Sequence, residues 1–499
     1  MEIQFQENKI PCLHLVKSQT QSQEQTQELR LGDGAPDVGR VLGAWGQVVV
    51  RGKEWRSDSV SVNCGVMAWV LYAPEDGGQA HCVETWIPVS VKWDIPDQGR
   101  DGTITCQCRL RSVDARILSG RKMMVRATVC AAAQMFVEGE TISYSPSDVP
   151  ADIELLEKTY PLCLAREAGE KAFMFDEELI LPPAAAAMDK PVRWELQMEV
   201  ADQKVLGDKA VFRGTGLLHL LYRTQEGALS SWDFEIPFSQ YTQLEHSYAD
   251  QAQVQVLPLV TALETETADG GRLRLKAGLS GQYVIYDTLQ MPVVEDAYSP
   301  ERDVQLQIKP VSVPVVAQQK SFLVKAEQTV PYESSRVADA AFFPGCGRVQ
   351  NRSGEGQMEM SGSFQMLYYD KEGLLQPAAA QWQWEQMESV PDGSDVILWS
   401  AATGKPAVSS SGEGMLMQAE CMLTIVANAA REMPMVAGLT LGESVPKDPN
   451  RPSLILQRAG KGDLWSIAKQ NGTTVHAIRE ANDLQDAPDP DRILLIPIL

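Results

Sequence analysis

The groups through which this chain could do chemistry are five histidines, nine cysteines and a surplus of carboxylates, 66 Asp and Glu against 44 Lys and Arg. His14, His81, His219, His246 and His476 are scattered, and none falls in a His-Glu-x-x-His run that would put two imidazoles on one helix face for zinc. No Gly-x-Ser-x-Gly elbow and no Cys/His nucleophile setting is present. Gly404-Lys405-Pro406 lacks the upstream glycine and the following hydroxyl of a phosphate loop. Cys106-Gln107-Cys108 puts two thiols on one strand face, but no second Cys/His pair accompanies it, so a zinc site is not expected. Asp370 and Glu372 sit beside Gly373 in a turn, where solvated carboxylates are ordinary. These residues predict a chain that is not an enzyme and has no metal and no cofactor.

A pattern with more information lies between Leu454 and Pro497. The β-branched and leucine runs Leu454-Ile455-Leu456 and Ile493-Leu494-Leu495-Ile496-Pro497 are strand-like, and the sequence between them has helical spacing. Leu464, Ile467 and Ala468 fall at i, i+3, i+4, and Val475, Ile478 and Asn482 at i, i+3, i+7. Asp463 is placed to cap the first helix, Thr473 or Thr474 the second, and Asn482 suits the left-handed turn that ends it. The order is strand, helix, helix, strand.

This stretch, with Gly462-Asp463-Leu464-Trp465-Ser466-Ile467-Ala468 and the closing Ile-Pro, resembles a LysM module. The resemblance implies a shallow groove, formed by the loops before the first helix and the last strand, that holds N-acetylglucosamine polymers through backbone groups. It implies binding residues among Gly462, Asp463, Leu464, Trp465, Ile467, Thr474, Ile478, Asn482 and Asp491. Two differences fall in the groove loops: the first is one residue short at Gly462-Asp463-Leu464, and Asp491 stands where the family has glycine. From them we expect a protein ligand rather than a glycan, with Trp465 at the interface and Ile467 and Ile478 in the small core.

The formal charge of −22 excludes a basic footprint for nucleic acid or an anionic membrane surface. No run of about 18 apolar residues is present, so membrane insertion is not expected, and the first residues show no basic-then-apolar export signal. Cys64, Cys130 and Cys421 lie in apolar, strand-like runs without a disulfide framework. Buried free thiols in a reducing cytoplasm are the reading.

The remaining 450 or so residues carry an internal repeat at a period of about 150. Trp69-Val70-Leu71-Tyr72, Leu220-Leu221-Tyr222 and Met366-Leu367-Tyr368 recur, each followed by a polar turn with Gly77, Gly227 or Gly373 and then a returning strand. Glycine there supplies a positive φ. Ile10-Pro11, Tyr160-Pro161 and Val313-Pro314 open the copies, and glycine turns at Gly120, Gly271 and Gly412 feed their late strands. The copies span 1–150, 151–303 and 304–442. Short strands with turns at intervals and no long helical period predict a mainly β protein, three tandem β-sandwich-like repeats followed by the small βααβ module at 453–499. The polar run Ser18 to Gln27 reads as an edge strand or loop. Proline at every third position in 443–452 predicts a semi-rigid spacer holding the module off the repeats.

Three such repeats closed by one LysM module are similar to the SPOCS-domain proteins of spore-forming Firmicutes. That resemblance implies a non-enzymatic adaptor in the mother-cell cytoplasm at the forespore surface. There it would join the basal coat ATPase to other coat proteins, with the LysM module as the docking element. The alternatives are a peptidoglycan-binding protein of wall or cortex and, less favoured, a wall hydrolase. Which partner each repeat contacts and the oligomeric state stay open.

Overall fold

In the computed structural model the described residues are 1–499 apart from 97, 269–271, 332–335, 445–451, 461, 462, 487 and 499. The strands are longer than the short ones the sequence predicts, reaching 25 residues in copy one, 37 in copy two and 31 in copy three, because long alternating runs carry the ladders through. In copy one, β1 (Glu2–Gln4) and β2 (Gln6–Arg30) precede β3 (Val38–Trp55), β4 (Ser59–Pro74), β5 (His81–Asp94), β6 (Thr103–Ser119) and β7 (Lys122–Ser145). Copy two has β8 (Glu154–Ile180), β9 (Met188–Thr224), β10 (Leu229–Tyr248), β11 (Gln253–Ala268) and β12 (Arg272–Tyr298). Copy three has β13 (Arg302–Val330), β14 (Arg336–Phe343), β15 (Arg348–Arg352), β16 (Glu355–Tyr369), β17 (Leu375–Ser389), β18 (Asp395–Ser411) and β19 (Gly414–Ser444). The module follows as β20 (Leu454–Arg458), α1 (Leu464–Asn471), α2 (Val475–Asn482) and β21 (Ile493–Pro497).

One antiparallel topology recurs. The last strand of each copy pairs on one side with the first and on the other with the penultimate, giving β2-β7-β6, β8-β12-β11 and β13-β19-β18. A second sheet is a meander, β3-β4-β5 in copy one and β14/β15-β16-β17 in copy three. In copy two the first two meander strands are one run, β9, which doubles back at Gly207 (φ 62°) so that Gly214 lies against the backbone of Glu199. The two sheets of each copy enclose a core: Val62, Ile87 and Trp93 with Val125 in copy one, Phe212 and Leu220 with Leu275 in copy two, Phe364 and Met358 with Leu423 in copy three. These are tandem β-sandwiches, mainly β as the sequence predicts.

The repeated tyrosines explain the sequence period. Tyr72 and Tyr222 are fully buried and their hydroxyls donate to the carbonyls of Pro36 and Ala186, at 3.1 and 3.0 Å. Each therefore ties the hairpin to the loop that enters the meander. Gly77, Gly227 and Gly373 have φ of 76°, 86° and 79°, and each donates its N–H back to the residue three before it. The run Ser18 to Gln27 lies in β2, an edge strand whose only ladder among the described residues is with β7.

The copies join around a shared centre. Leu13, Ala132 and Phe136 of copy one meet Val284 and Tyr286 of copy two and Trp399 and Val426 of copy three. β1 leaves copy one and pairs with the end of β19, Glu2 opposite Thr440, which closes the chain's first strand onto its last repeat. Much of the junction is polar. The Gln282 amide accepts from the Cys106 N–H (3.1 Å) and donates to the Cys106 carbonyl (2.7 Å), while Gln107 accepts from the Ser400 N–H (2.9 Å) and Gln47 from the Leu196 N–H (2.9 Å). A side-chain amide that carries both a donor and an acceptor can imitate a strand neighbour, which is why glutamine serves at these crossings.

One cysteine expectation is corrected. Cys130 of β7 and Cys346 of the loop between β14 and β15 form a disulfide between copies one and three, 216 residues apart, with 5.8 Å between their Cα atoms. Cys12, Cys64, Cys82, Cys106, Cys108, Cys163 and Cys421 are free thiols. The pairing was invisible because Cys346 sits in a break in the meander strand that only copy three has. No helix among the described residues is long and apolar enough to cross a membrane.

Candidate functional site

The module is built as its spacing predicts. β20 and β21 pair antiparallel, Ile455 opposite Ile496, and the inward faces of the strands and helices meet at Leu464, Ile467, Ala468, Ile478, Leu494 and Ile496, all buried. The Asp463 carboxylate accepts from the Ser466 N–H at 2.7 Å and Thr474 Oγ1 from the Ala477 N–H at 3.0 Å, so each helix has a side-chain cap. Bonds from Ser466, through its side chain and its backbone N–H, favour the ionised form of Asp463 and lower its pKa.

Asn482 corrects the expectation about the helix end. It is the last residue of α2, and the left-handed position belongs to Asp483, at φ 50°. The Asn482 side chain is buried and used elsewhere: its Nδ2 donates to the carbonyls of Ile478 (2.8 Å) and Leu495 (2.6 Å), and its Oδ1 accepts from the Leu495 N–H (2.7 Å). Asparagine is required because it splices the helix end into β21, a long-range bond that helical spacing cannot reveal.

The two groove loops are bonded to each other. The Ala459 N–H donates to the Arg492 carbonyl (2.9 Å) and the Gly460 N–H to the Pro490 carbonyl (2.8 Å). Asp491 points into solvent, its side chain 89% exposed and 3.7 Å from the Arg458 guanidinium. Gly462 lies outside the described residues. Asp463 and Asp491 therefore lie on the loops to which the resemblance assigns a groove, whereas Leu464, Ile467 and Ile478 are buried in the module's core and Thr474 and Asn482 hold its helix ends. Leu454, Leu456, Ile493 and Leu495 form an exposed apolar face on the outside of β20 and β21.

The spacer prediction is also corrected, for the module is seated on copy two. Residues 445–451 of the predicted spacer lie outside the described residues, and 443 and 444 still belong to β19. The Trp465 indole N–H donates to Asp296 Oδ2 (2.8 Å), and Lys469 Nζ reaches both oxygens of the same carboxylate, at 2.7 and 2.8 Å. The Tyr298 hydroxyl donates to the Thr473 carbonyl (2.9 Å), and its ring meets Trp465 edge-on with 4.8 Å between centroids. Burial would raise the Asp296 pKa, but Lys469 and the indole outweigh it and hold the carboxyl below its usual range. Next to this seat Glu295 takes Lys158 Nζ at 2.6 Å and the Tyr160 hydroxyl, and Lys158 faces Asp463. Trp465 is thus an interface residue, as its amphipathic ring suggests, but the interface lies within the chain. Asp296 and Tyr298 were missed because they end a scaffold strand, about 170 residues away, with no motif around them.

Elsewhere the copies meet at a cavity of about 620 Å³ bordered by Gln107, Arg109, Glu195, Gln255 and Ser400. A neighbouring cavity of about 260 Å³ is lined by Arg193, His219, Asp233 and Lys405. His219, one of the scattered histidines, is paired with two carboxylates there rather than free. Among the described residues no group of three or more His, Cys, Asp or Glu could hold a metal ion.

The architecture is thus a mainly β scaffold of repeated sandwiches carrying a small βααβ module at its C-terminal end. Residues 461–497 match the family model of the LysM domain. No curated protein and no solved structure matches the chain.

Proposed function

We propose that this protein is a non-catalytic adaptor in which the three sandwiches are a rigid scaffold and the LysM domain is the recognition element. The observation that carries this reading is the seat on Asp296. One carboxylate takes both the Trp465 indole and the Lys469 ammonium, so the module is presented in one orientation rather than swung on a tether. The LysM domain points to N-acetylglucosamine-containing polymers as the broad ligand class. A protein ligand is favoured by the groove itself. Glycan recognition of this type uses backbone groups of the two loops, and here the Ala459 and Gly460 amides are already bonded across to Arg492 and Pro490. A complex leaving such groups unpaired loses about 1–3 kcal/mol for each.

In its finer form the proposal follows the resemblance to SPOCS-domain proteins. The adaptor works in the mother-cell cytoplasm at the forespore surface, and its LysM domain holds the basal coat ATPase while the sandwiches meet other coat proteins. The second reading, a peptidoglycan-binding protein, draws on the family match alone. Affinity capture from sporulating cells, with the full chain and with a chain ending at Val445, separates them. Loss of the coat ATPase on truncation is the expected result. Recovery of the same proteins by both chains, with muropeptides held only by the full one, overturns the adaptor in favour of the glycan reader.

A further inference from the structure

Copies two and three are joined through a histidine with a carboxylate on each ring nitrogen. His219 of β9 sits directly opposite Asp233 of β10 in the ladder, and its Nδ1 lies 2.5 Å from Asp233 Oδ1. Its Nε2 lies 2.9 Å from Asp339 Oδ1, across the junction on β14. The β14 ladder shifts register between Val337 and Asp339, and a bulge of this kind re-aims a side chain. Asp339 is only 2% exposed, and its other oxygen is 3.3 Å from Arg193 Nη2, whose guanidinium lies over the Trp45 ring of copy one.

A neutral imidazole has one N–H and one lone pair, so it can donate to only one of two carboxylates. Both contacts are satisfied only by the imidazolium. On deprotonation a ring lone pair must face a carboxylate, and if that carboxylate is Asp339 a buried charge loses one of its donors. The surrounding charges do not substitute for the proton. Arg193 is already engaged with Asp339, Lys405 of β18 bonds Ser231 Oγ (2.8 Å) and stays 3.9 Å from Asp339, and Glu195 and Glu235 border the cavity.

We propose that His219 is a proton-dependent clamp between the second and third sandwiches, which holds the junction closed while it is protonated and loosens it when the proton leaves. Burial and Arg193 work against the charged form, but Asp339 and Asp233 outweigh them, so the His219 pKa is raised in the folded protein and those of both carboxylates are lowered. A raised pKa stabilises the closed junction fully below the unfolded value of about 6.5, and this contribution is lost as pH rises through the folded value. Acidification tightens the scaffold.

The test is hydrogen exchange of the intact chain across a pH series, followed in peptides covering 336–343 and 215–222 and corrected for the intrinsic exchange rate. The opening constant should be flat below about pH 6.5 and rise up to about tenfold per unit above it, levelling off past the folded pKa. His219→Gln should open more readily and show no such rise. Should that variant fail to fold, Asp233→Asn, at the more exposed carboxylate, should shorten the range over which opening rises. A wild-type profile that is flat from pH 6 to 9, or an unchanged profile in Asp233→Asn, overturns the clamp.

Discussion

Two junctions in this molecule differ in depth and in the charge that sustains them. Copies two and three meet through Asp339, which is buried, shared by His219 and Arg193, and dependent on a proton. The LysM domain meets copy two through Asp296, which is partly exposed, shared by Trp465 and Lys469, and held below its usual pKa by them. The scaffold junction is therefore weakened as His219 loses its proton and the module's seat as Asp296 gains one. Around neutral pH the seat is the constant element and the sandwiches are the adjustable one. Depth also separates them: removing a partner inside the scaffold strands a charge that is only 2% exposed, whereas Asp296 and Lys469 can each return to solvent.

The largest effect that sharpens this contrast is expected within a sandwich. Tyr222→Ala removes a fully buried ring and its bond to the Ala186 carbonyl, and should destabilise copy two by about 3–5 kcal/mol in chemical denaturation. An unchanged unfolding midpoint would break the claim that the repeated tyrosines are structural pins.

A smaller effect is expected at the seat. Asp296→Ala should cost about 1 kcal/mol, since a charge-assisted pair this accessible is largely screened. It should leave the module folded while quenching or shifting Trp465 fluorescence as the indole leaves Tyr298. The pH dependence has the opposite sign to that of the clamp. The Asp296 pKa is lowered, so its contribution is present above the unfolded carboxylate value of about 3.9 and is lost as pH falls through the lower folded value. Trp465 fluorescence should stay constant through neutrality and change only in strong acid. A transition near pH 6.5 would tie the seat to the clamp and erase the distinction.

Smaller or comparable, and confined to the module, is the capping bond. Asp463→Ala should cost α1 about 1 kcal/mol, seen as lowered exchange protection of its first turn without loss of the Asp296 contact.

What the sequence made legible follows from distance along the chain. The module could be read because Asp463 caps a helix three residues on, Thr474 does the same, and Ile467 and Ile478 follow helical spacing. The sandwiches could be read because Tyr72, Tyr222 and Tyr368 recur with their glycine turns. The seat and the clamp could not. Asp296 meets Trp465 across 169 residues and His219 meets Asp339 across 120, in the second case only because a bulge turns the aspartate inward. Asn482 shows the same limit inside the module, where its real task is a bond to Leu495 thirteen residues away. The disulfide between Cys130 and Cys346 depends on a break in copy three that no repeat register announces.

The central claim, that the LysM domain is the recognition element of an adaptor, is tested most directly by titrating the intact chain and the chain ending at Val445. The two ligands are N-acetylglucosamine oligomers and, separately, the purified coat ATPase. The account predicts that the ATPase binds the intact chain, that truncation abolishes this binding, and that the oligomers bind neither chain appreciably. Micromolar binding of the oligomers to the intact chain, with no binding of the ATPase, would contradict it.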